Sequence, residues 1–380
     1  MDIFSEINEE KMNNKRNKLV FIINSAQNQR CIKRVNEFVS QGYDVEAYAF
    51  TRGDDLRNKP NFDLHIIGRL NNDTSYRKRL KLMYNAIRGV LYEHKDKDVI
   101  YYLFSLDVAF LYSLLNKNKC KYIYEESDLV HTYIRNKLLK EILAKIDKRI
   151  INISLLTVFT SEGFVNYHFN GNHPANTIVV PNRLTPEILS IPKVEKNKLD
   201  VKKIRFGFVG AVRFKSLYCL SETILKNYPS HEFHFYGTIN SNRDGDFNKL
   251  KEYPNCFLHG GFKNPIDLPV IYSNIDVLIS TYDLIEENVK YAEPNKLYES
   301  IYFETPIVVT TGTYLAEKVS KLGIGYDVDA MKENSVVSFV NSLTINSLQE
   351  KINNCRKIDK ANTLNVNNEL FDKIRLLNII

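Results

Sequence analysis

No apolar stretch in this 380-residue chain reaches the ~18–20 residues that a membrane-spanning helix requires. Cysteine is sparse: five residues (Cys31, Cys120, Cys219, Cys256, Cys355) with no CxxC pair. An odd, unpatterned set points to reduced, buried thiols in a cytoplasm rather than to a disulfide framework. The eight histidines show neither HxxxH nor HExxH spacing, so no zinc motif is present and no metal ligand is expected. GxGxxG and GxxxxGK[ST] are both missing, which removes the main sequence support for dinucleotide oxidoreductases and P-loop NTPases. The polar start, MDIFSEINEEKMNNKRNKLVFII, lacks the charged-then-apolar order of a secretory signal and is expected to fray.

What is present is the composition of a globular chain, 44% apolar and 26% charged, long enough for about two domains. The charge is uneven. Residues 1–200 hold 31 Lys+Arg against 24 Asp+Glu, the whole of the net +7, and residues 201–380 balance at 21 each. Much of the excess lies on two expected helices, Tyr76 to Arg88 and Lys137 to Arg149 (KLLKEILAKIDKR). For either alone a solvated face is the commoner explanation; two in one half make an anionic membrane surface a partner to consider. Nucleic acid is not expected, since its motifs are missing and +7 on 44 kDa is modest.

Periodicity then orders the chain. KLVFIIN (Lys18–Asn24) reads as a buried parallel strand. Arg30–Gln41 reads as an amphipathic helix closed by Gly42, and Val45–Phe50 as a second strand. Strand and helix alternate through Asp98–Phe104, Lys121–Tyr124, Thr157–Thr160 and Thr177–Val180. The Lys/Pro-rich segment Pro186–Lys203 reads as a linker, after which alternation restarts at Ile204–Gly210. The expected domains are 1–190 and 204–360, with a helical tail over 361–380 that can cross back to the first. Alternation of this kind implies α/β architecture with doubly wound parallel sheets, whose ligands sit beyond the carboxyl ends of the strands.

Post-strand residues in the second half are therefore the candidates for binding. Gly210 follows one strand, with Arg213 and Lys215 close behind; Gly237 follows the next; His259-Gly260-Gly261 follows a third. Glycines admit close backbone approach, and the Arg/Lys pair brings positive charge to that mouth. The stretch Tyr291–Thr310, YAEPNKLYESIYFETPIVVT, adds a Pro-led turn opening a helix, with Pro294 at its entry and Asn295 as a candidate cap. A helix start is an anion site, and Glu299 one turn inside can accept two sugar hydroxyls. Together these parts form a kit for a nucleoside diphosphate.

FVGAVRFK, HGGF..PIDLPVIYSNIDVLIS and EPNKLYESIYFETPIVVT resemble retaining glycosyltransferases of the GT-B fold, in the large family 4 group. The resemblance is closest to bacterial members that build capsular and other surface polysaccharides. It is strong over residues 204–327 and weaker over 18–183, where it rests on the Arg30–Gly42 helix, YEESDL, FTSEGF and VVPN. It implies two Rossmann-like domains whose parallel sheets face across a cleft. It implies a nucleoside-diphosphate sugar, UDP- or GDP-linked, as co-substrate, with no separate cofactor and no metal. The residues matching the donor site are Gly210, Arg213, Lys215, Gly237, Glu293, Pro294, Asn295, Lys296, Leu297 and Glu299. Two positions depart from the family pattern. Tyr291 stands where many relatives carry a second glutamate, with Glu293 as the nearby substitute, and Ser127 stands where many carry a histidine. Glu126, Asp128 and His131 are left as candidates to position or deprotonate the acceptor.

The reading that results is sugar transfer to a glycan or lipid-linked acceptor by a cytoplasmic enzyme, with peripheral attachment to the inner membrane face as a further expectation. A nucleotide-sugar epimerase of the same fold and a non-catalytic sugar-nucleotide- or glycan-binding subunit are the alternatives.

Overall fold

A computed structural model gives the structure of the chain. It describes residues 18–52, 60, 62–71, 74–116, 121–239 and 247–380. The expected frayed start and Cys120 lie outside the described residues.

The chain forms two compact units. Unit 1 contains β1 (Lys18–Ile23), β2 (Val45–Thr51), β3 (Leu64–Arg69), β4 (Val99–Phe104), β5 (Tyr122–Glu126), β6 (Leu156–Phe159) and β7 (Thr177–Val179). They form one parallel sheet in the order β3-β2-β1-β4-β5-β6-β7. Strands such as VIYYLF in β4 are buried at every position, as a parallel sheet covered on both faces demands. The helix Gln29–Ser40 is capped by the Asn28 side chain, which accepts from the Arg30 N–H, and it buries Cys31, Ile32, Arg34, Val35 and Phe38. Ring contacts gather Phe21, Phe38, Tyr43 and Tyr102 beneath it. Burying one such ring contributes roughly 1.5–3 kcal/mol. The end of the chain belongs to this unit: on the helix Asn368–Leu376, Phe371 meets Phe38 edge-on at 5.0 Å and stacks on Tyr43.

Unit 2 contains β8 (Arg205–Val209), β9 (Glu232–Tyr236), β10 (Cys256–Gly260), β11 (Val277–Ser280), β12 (Ile307–Thr310) and β13 (Gly325–Val328), again parallel, in the order β10-β9-β8-β11-β12-β13. It begins at Pro181 and also includes Ser161–Tyr167. Leu184 and Ile188 are buried in its core with Leu268, Tyr272 and Leu297. In both sheets the direction of winding reverses once, between β1 and β4 and between β8 and β11. These are the switch points where such sheets open a crevice at the carboxyl ends of the strands.

Candidate functional site

At the β8/β11 switch point of unit 2 the backbone is unusually close-packed. Gly210 follows β8 with φ +136°, and Gly237 follows β9 with φ +144°. A side chain on Gly237 would lie 1.8 Å from the Gly210 carbonyl oxygen, so only glycine lets the two strand ends meet. The Lys296 ammonium closes on this spot. It would stand 3.0 Å from a Cβ at Gly210, lies over the Phe208 ring at 4.6 Å and donates to Tyr282 Oη at 3.4 Å. Lys296 is only 7% exposed, and no described carboxylate pairs with it. A buried cation without a counter-ion is costly, and an incoming anion would relieve that cost.

Lys296 arrives on the short helix Asn295–Tyr302. Pro294, with ψ 153°, is the cap residue, and no side chain caps this end. Asn295 was the expected cap; it is instead the first helical residue, and its amide donates to Glu299 Oε1 at 2.7 Å. The carboxylate one turn away captures the Asn295 side chain, leaving the helix-start N–H groups of Asn295 and Lys296 without an acceptor among the described residues. Leu297 points the other way, fully buried in the core.

Glu299 is itself enclosed, at 2% exposure. Its other oxygen accepts from Tyr272 Oη at 2.6 Å, and burial, with the adjacent Glu299 charge, holds the phenol well above its ordinary pKa. A carboxylate has about four acceptor sites in all. Glu293 is engaged differently: it pairs with Lys318 Nζ at 2.7 Å and accepts from Tyr298 Oη. The Ser161 hydroxyl donates to the Tyr291 carbonyl at 2.5 Å, and Gly163 abuts the same carbonyl. Position 291 thus contributes its backbone to local packing.

Arg213 and Lys215 flank the start of the helix Lys215–Asn227. Arg213 is half-buried against Phe214, its Nε without a partner, whereas Lys215 is exposed. That helix start is already satisfied. Asp283, just beyond β11, accepts from the N–H of Lys215 at 3.0 Å and of Ser216 at 2.7 Å. Asp283 and Tyr272 are site-building residues that local sequence features do not single out, whereas Tyr282 falls among the post-strand residues of unit 2. The nearest signal for Asp283 is its place three positions beyond the apolar strand β11.

In unit 1 the end of β5 delivers Glu125 and Glu126 into the interior, both 0% exposed. Glu125 pairs with Arg34 at 2.9 Å and accepts from Tyr102 Oη at 2.5 Å. Glu126 meets His168 Nε2 at 3.0 Å; His131 Nδ1 meets Asp147 at 3.2 Å, and Tyr124 Oη donates to Asp147. Burial, together with the nearby Asp147 charge, pushes the Glu126 carboxyl up to about 7. Burial pulls His168 down, but the Glu126 carboxylate outweighs it and holds the imidazole above its usual value. Glu126, Asp147 and His168 offer ligand atoms within 4.8 Å of one another, a set chemically able to hold a cation, although hydrogen bonds already engage all three side chains. The three candidates for acceptor chemistry therefore divide: Glu126 and His131 are enclosed in this network, and Asp128, in the loop that follows, is half-buried.

No family model matches the chain, and no curated protein matches it in sequence. Solved structures do. Sucrose-phosphate synthase from Thermosynechococcus elongatus is 13% identical, with 96% of this chain and 99% of that one covered and a TM-score of 0.67. HepE of Anabaena, in complex with UDP, is 12% identical over 94% and 100%, with a TM-score of 0.68. WaaG, a glycosyltransferase involved in lipopolysaccharide biosynthesis, is 12% identical over 95% and 99%, with a TM-score of 0.62. At these identities the likeness is one of fold. The chain has the two-domain, Rossmann-like α/β fold of the GT-B glycosyltransferases.

Proposed function

We propose that the protein is a glycosyltransferase. It moves a sugar from a UDP- or GDP-linked donor to a glycan or lipid-linked acceptor in surface polysaccharide assembly, of which capsule is the type the sequence resembles. The observation that carries this reading is Lys296, a buried lysine with no carboxylate partner among the described residues, set beside Gly210 at a sheet switch point and at an uncapped helix start. The UDP bound to HepE and the lipopolysaccharide role of WaaG, on the same fold, support it.

In this reading the donor diphosphate meets Lys296, Arg213, Lys215 and the N–H groups of Asn295 and Lys296. Glu299, held by Tyr272 and Asn295, accepts ribose hydroxyls. As the bond between the sugar and the diphosphate breaks, negative charge grows on the leaving phosphate, and the surrounding cations and helix dipole stabilise it. Transfer with retention lets a leaving phosphate oxygen take the acceptor's proton. That suits a unit 1 whose Glu126 and His131 are enclosed. The basic groups fill the role a divalent cation takes elsewhere, so no metal is required. The enzyme works in the cytoplasm, at the inner membrane face when the acceptor is lipid-linked.

The test is calorimetry of UDP and GDP against the parent protein, followed by product analysis with each donor sugar. Micromolar binding of one nucleotide, with release dependent on an acceptor, supports the reading; binding of neither removes it. Conversion of donor alone would indicate an epimerase. The enclosure of Glu126 and His131 also favours a second reading, a non-catalytic sugar-nucleotide-binding subunit, and tight binding without turnover on any acceptor would select it.

A further inference from the structure

Three ionisable side chains meet in the interior of unit 1, at a place the donor site does not use. Glu126 ends β5, Asp147 sits on the helix Lys137–Ile153, and His168 lies near the end of the helix Glu162–Phe169. All three belong to unit 1. Positions so far apart cannot form the short histidine motifs by which a metal site is read from sequence. Only the fold brings them together. Glu126 and Asp147 are fully buried, and His168 is buried beside them.

Two carboxylates side by side in a dry interior are costly unless positive charge stands between them. Neither pairs with a lysine or arginine among the described residues: the nearby Arg34 is taken by Glu125, and Lys148 donates to the His168 carbonyl at 3.0 Å. Glu126 Oε2 is buried with no hydrogen-bond partner among the described residues. One donor atom from each of the three residues lies within 4.8 Å of the others, and His168 Nε2 stands 3.0 Å from Glu126 Oε1. Tetrahedral bonds of about 2.0 Å place donor atoms about 3.3 Å apart, so small side-chain shifts close this set around an ion. Asp147 is already oriented. Tyr124 Oη donates to one of its oxygens at 3.0 Å, and His131 Nδ1 lies 3.2 Å from the other. Outer partners of this kind fix the carboxylates that bind metals.

We propose that Glu126, Asp147 and His168 form a structural site for a divalent first-row transition-metal ion, zinc in the first place. Glu126 binds through both oxygens, Asp147 through one and His168 through Nε2, a set of four donors that gives the orphaned Oε2 a partner. Imidazole with carboxylates suits zinc, whereas magnesium and calcium call for about six or more oxygen ligands. With His168 neutral, the two carboxylates balance the charge of the ion. In the metal-free chain the hydrogen bond between His168 and Glu126 holds a proton in that place, so uptake releases protons. A pH dependence set by Glu126 belongs to that metal-free form. The ion ties the end of β5 to two helices and takes no part in sugar transfer, so the proposal stands apart from the donor site. Enclosed in this way, the site takes its ion as the chain folds.

Refolding of the full chain from urea, with EDTA or with zinc, followed by plasma mass spectrometry of the metal retained, tests it. About one zinc per chain is expected after refolding with zinc, together with a higher melting temperature than the EDTA-refolded chain shows. Cobalt loaded in the same way should give the visible absorption of a tetrahedral site. By competition with a chromophoric chelator, His168→Gln should lower zinc affinity by more than about 100-fold. Tyr124→Phe, which keeps every ligand, should lower it by about tenfold. Circular dichroism checks that each variant folds, so the outcome does not depend on nucleotide binding. Well under one zinc per chain, no rise in melting temperature, or a folded His168→Gln chain with the parent's zinc affinity overturns the proposal. So does uptake of magnesium or calcium in preference to zinc. If His168→Gln does not fold, Tyr124→Phe decides, and unchanged zinc affinity there overturns it.

Discussion

The Asp283 carboxylate lies 2.7 Å from the backbone nitrogen of Ser216, so the loop after β11 caps the helix that follows β8. The contact ties together the two strands that bound the switch point. It also fills a helix start that would otherwise compete for a phosphate, leaving the Asn295–Tyr302 helix as the open one. Asp283→Ala should therefore cost about 1 kcal/mol of stability, in the range for lost caps. It should also weaken UDP or GDP binding several-fold through a loosened Arg213–Lys215 loop. Urea denaturation and calorimetry check the two effects, and unchanged stability would remove the capping role.

Lys296 carries a prediction of unusual sign. Because Lys296 is buried without a carboxylate partner among the described residues, Lys296→Met should leave the melting temperature unchanged or raise it. Nucleotide affinity should fall by about tenfold or more, the loss expected when a charged hydrogen-bonding partner is removed from a desolvated site. A fall of several degrees with affinity intact would make Lys296 a structural residue.

Glu299 is held from both sides, by Tyr272 and Asn295. Glu299→Gln keeps an acceptor for one of them and should fold, while losing the charge that suits two ribose hydroxyls. The expected result is weaker binding of UDP or GDP with much less effect on the corresponding 2′-deoxy nucleotide. Equal losses on both would detach Glu299 from the ribose. Glu299→Ala and Arg213→Ala should likewise weaken nucleotide binding without unfolding the chain.

Glu126 sets a pH dependence. Its carboxyl titrates near 7 in the folded protein against 4.5 ordinarily, so between those values the folded state holds a proton that the unfolded state has released. Its contribution is complete below about pH 4.5 and is lost as pH rises through 7, a change on the order of 3 kcal/mol. The raised His168 acts in the same direction. His231, His234 and His259, all lowered by burial, act oppositely as pH falls below 6.5. Glu126→Gln stays neutral and keeps an acceptor for His168. The stability difference between parent and variant should therefore shift against the parent from pH 5 to pH 8. A difference that does not vary with pH would show that Glu126 titrates normally.

Much of the fold was legible in the chain because strand and helix write different periods into it. Fully apolar runs such as VIYYLF announced strands buried on both faces. The apolar spacing of Ile32, Val35 and Phe38 announced a helix, and alternation of the two announced parallel sheets. The sequence also determined which residue types stand after the strands of unit 2, since glycines, an Arg/Lys pair and a Pro-led helix start are local features. Only the tertiary structure decided what those residues do to one another. Asp283 caps a helix 67 positions earlier, Glu293 is taken up by Lys318, and Glu126 is turned inward onto His168, 42 positions on. Each depends on which strands lie side by side and on how much water is left between them, quantities that periodicity along the chain does not encode. Lys296 shows the same division: its place at a helix start could be read from the sequence, but its burial with no carboxylate partner among the described residues arises only when β8, β11 and the Asn295–Tyr302 helix close together.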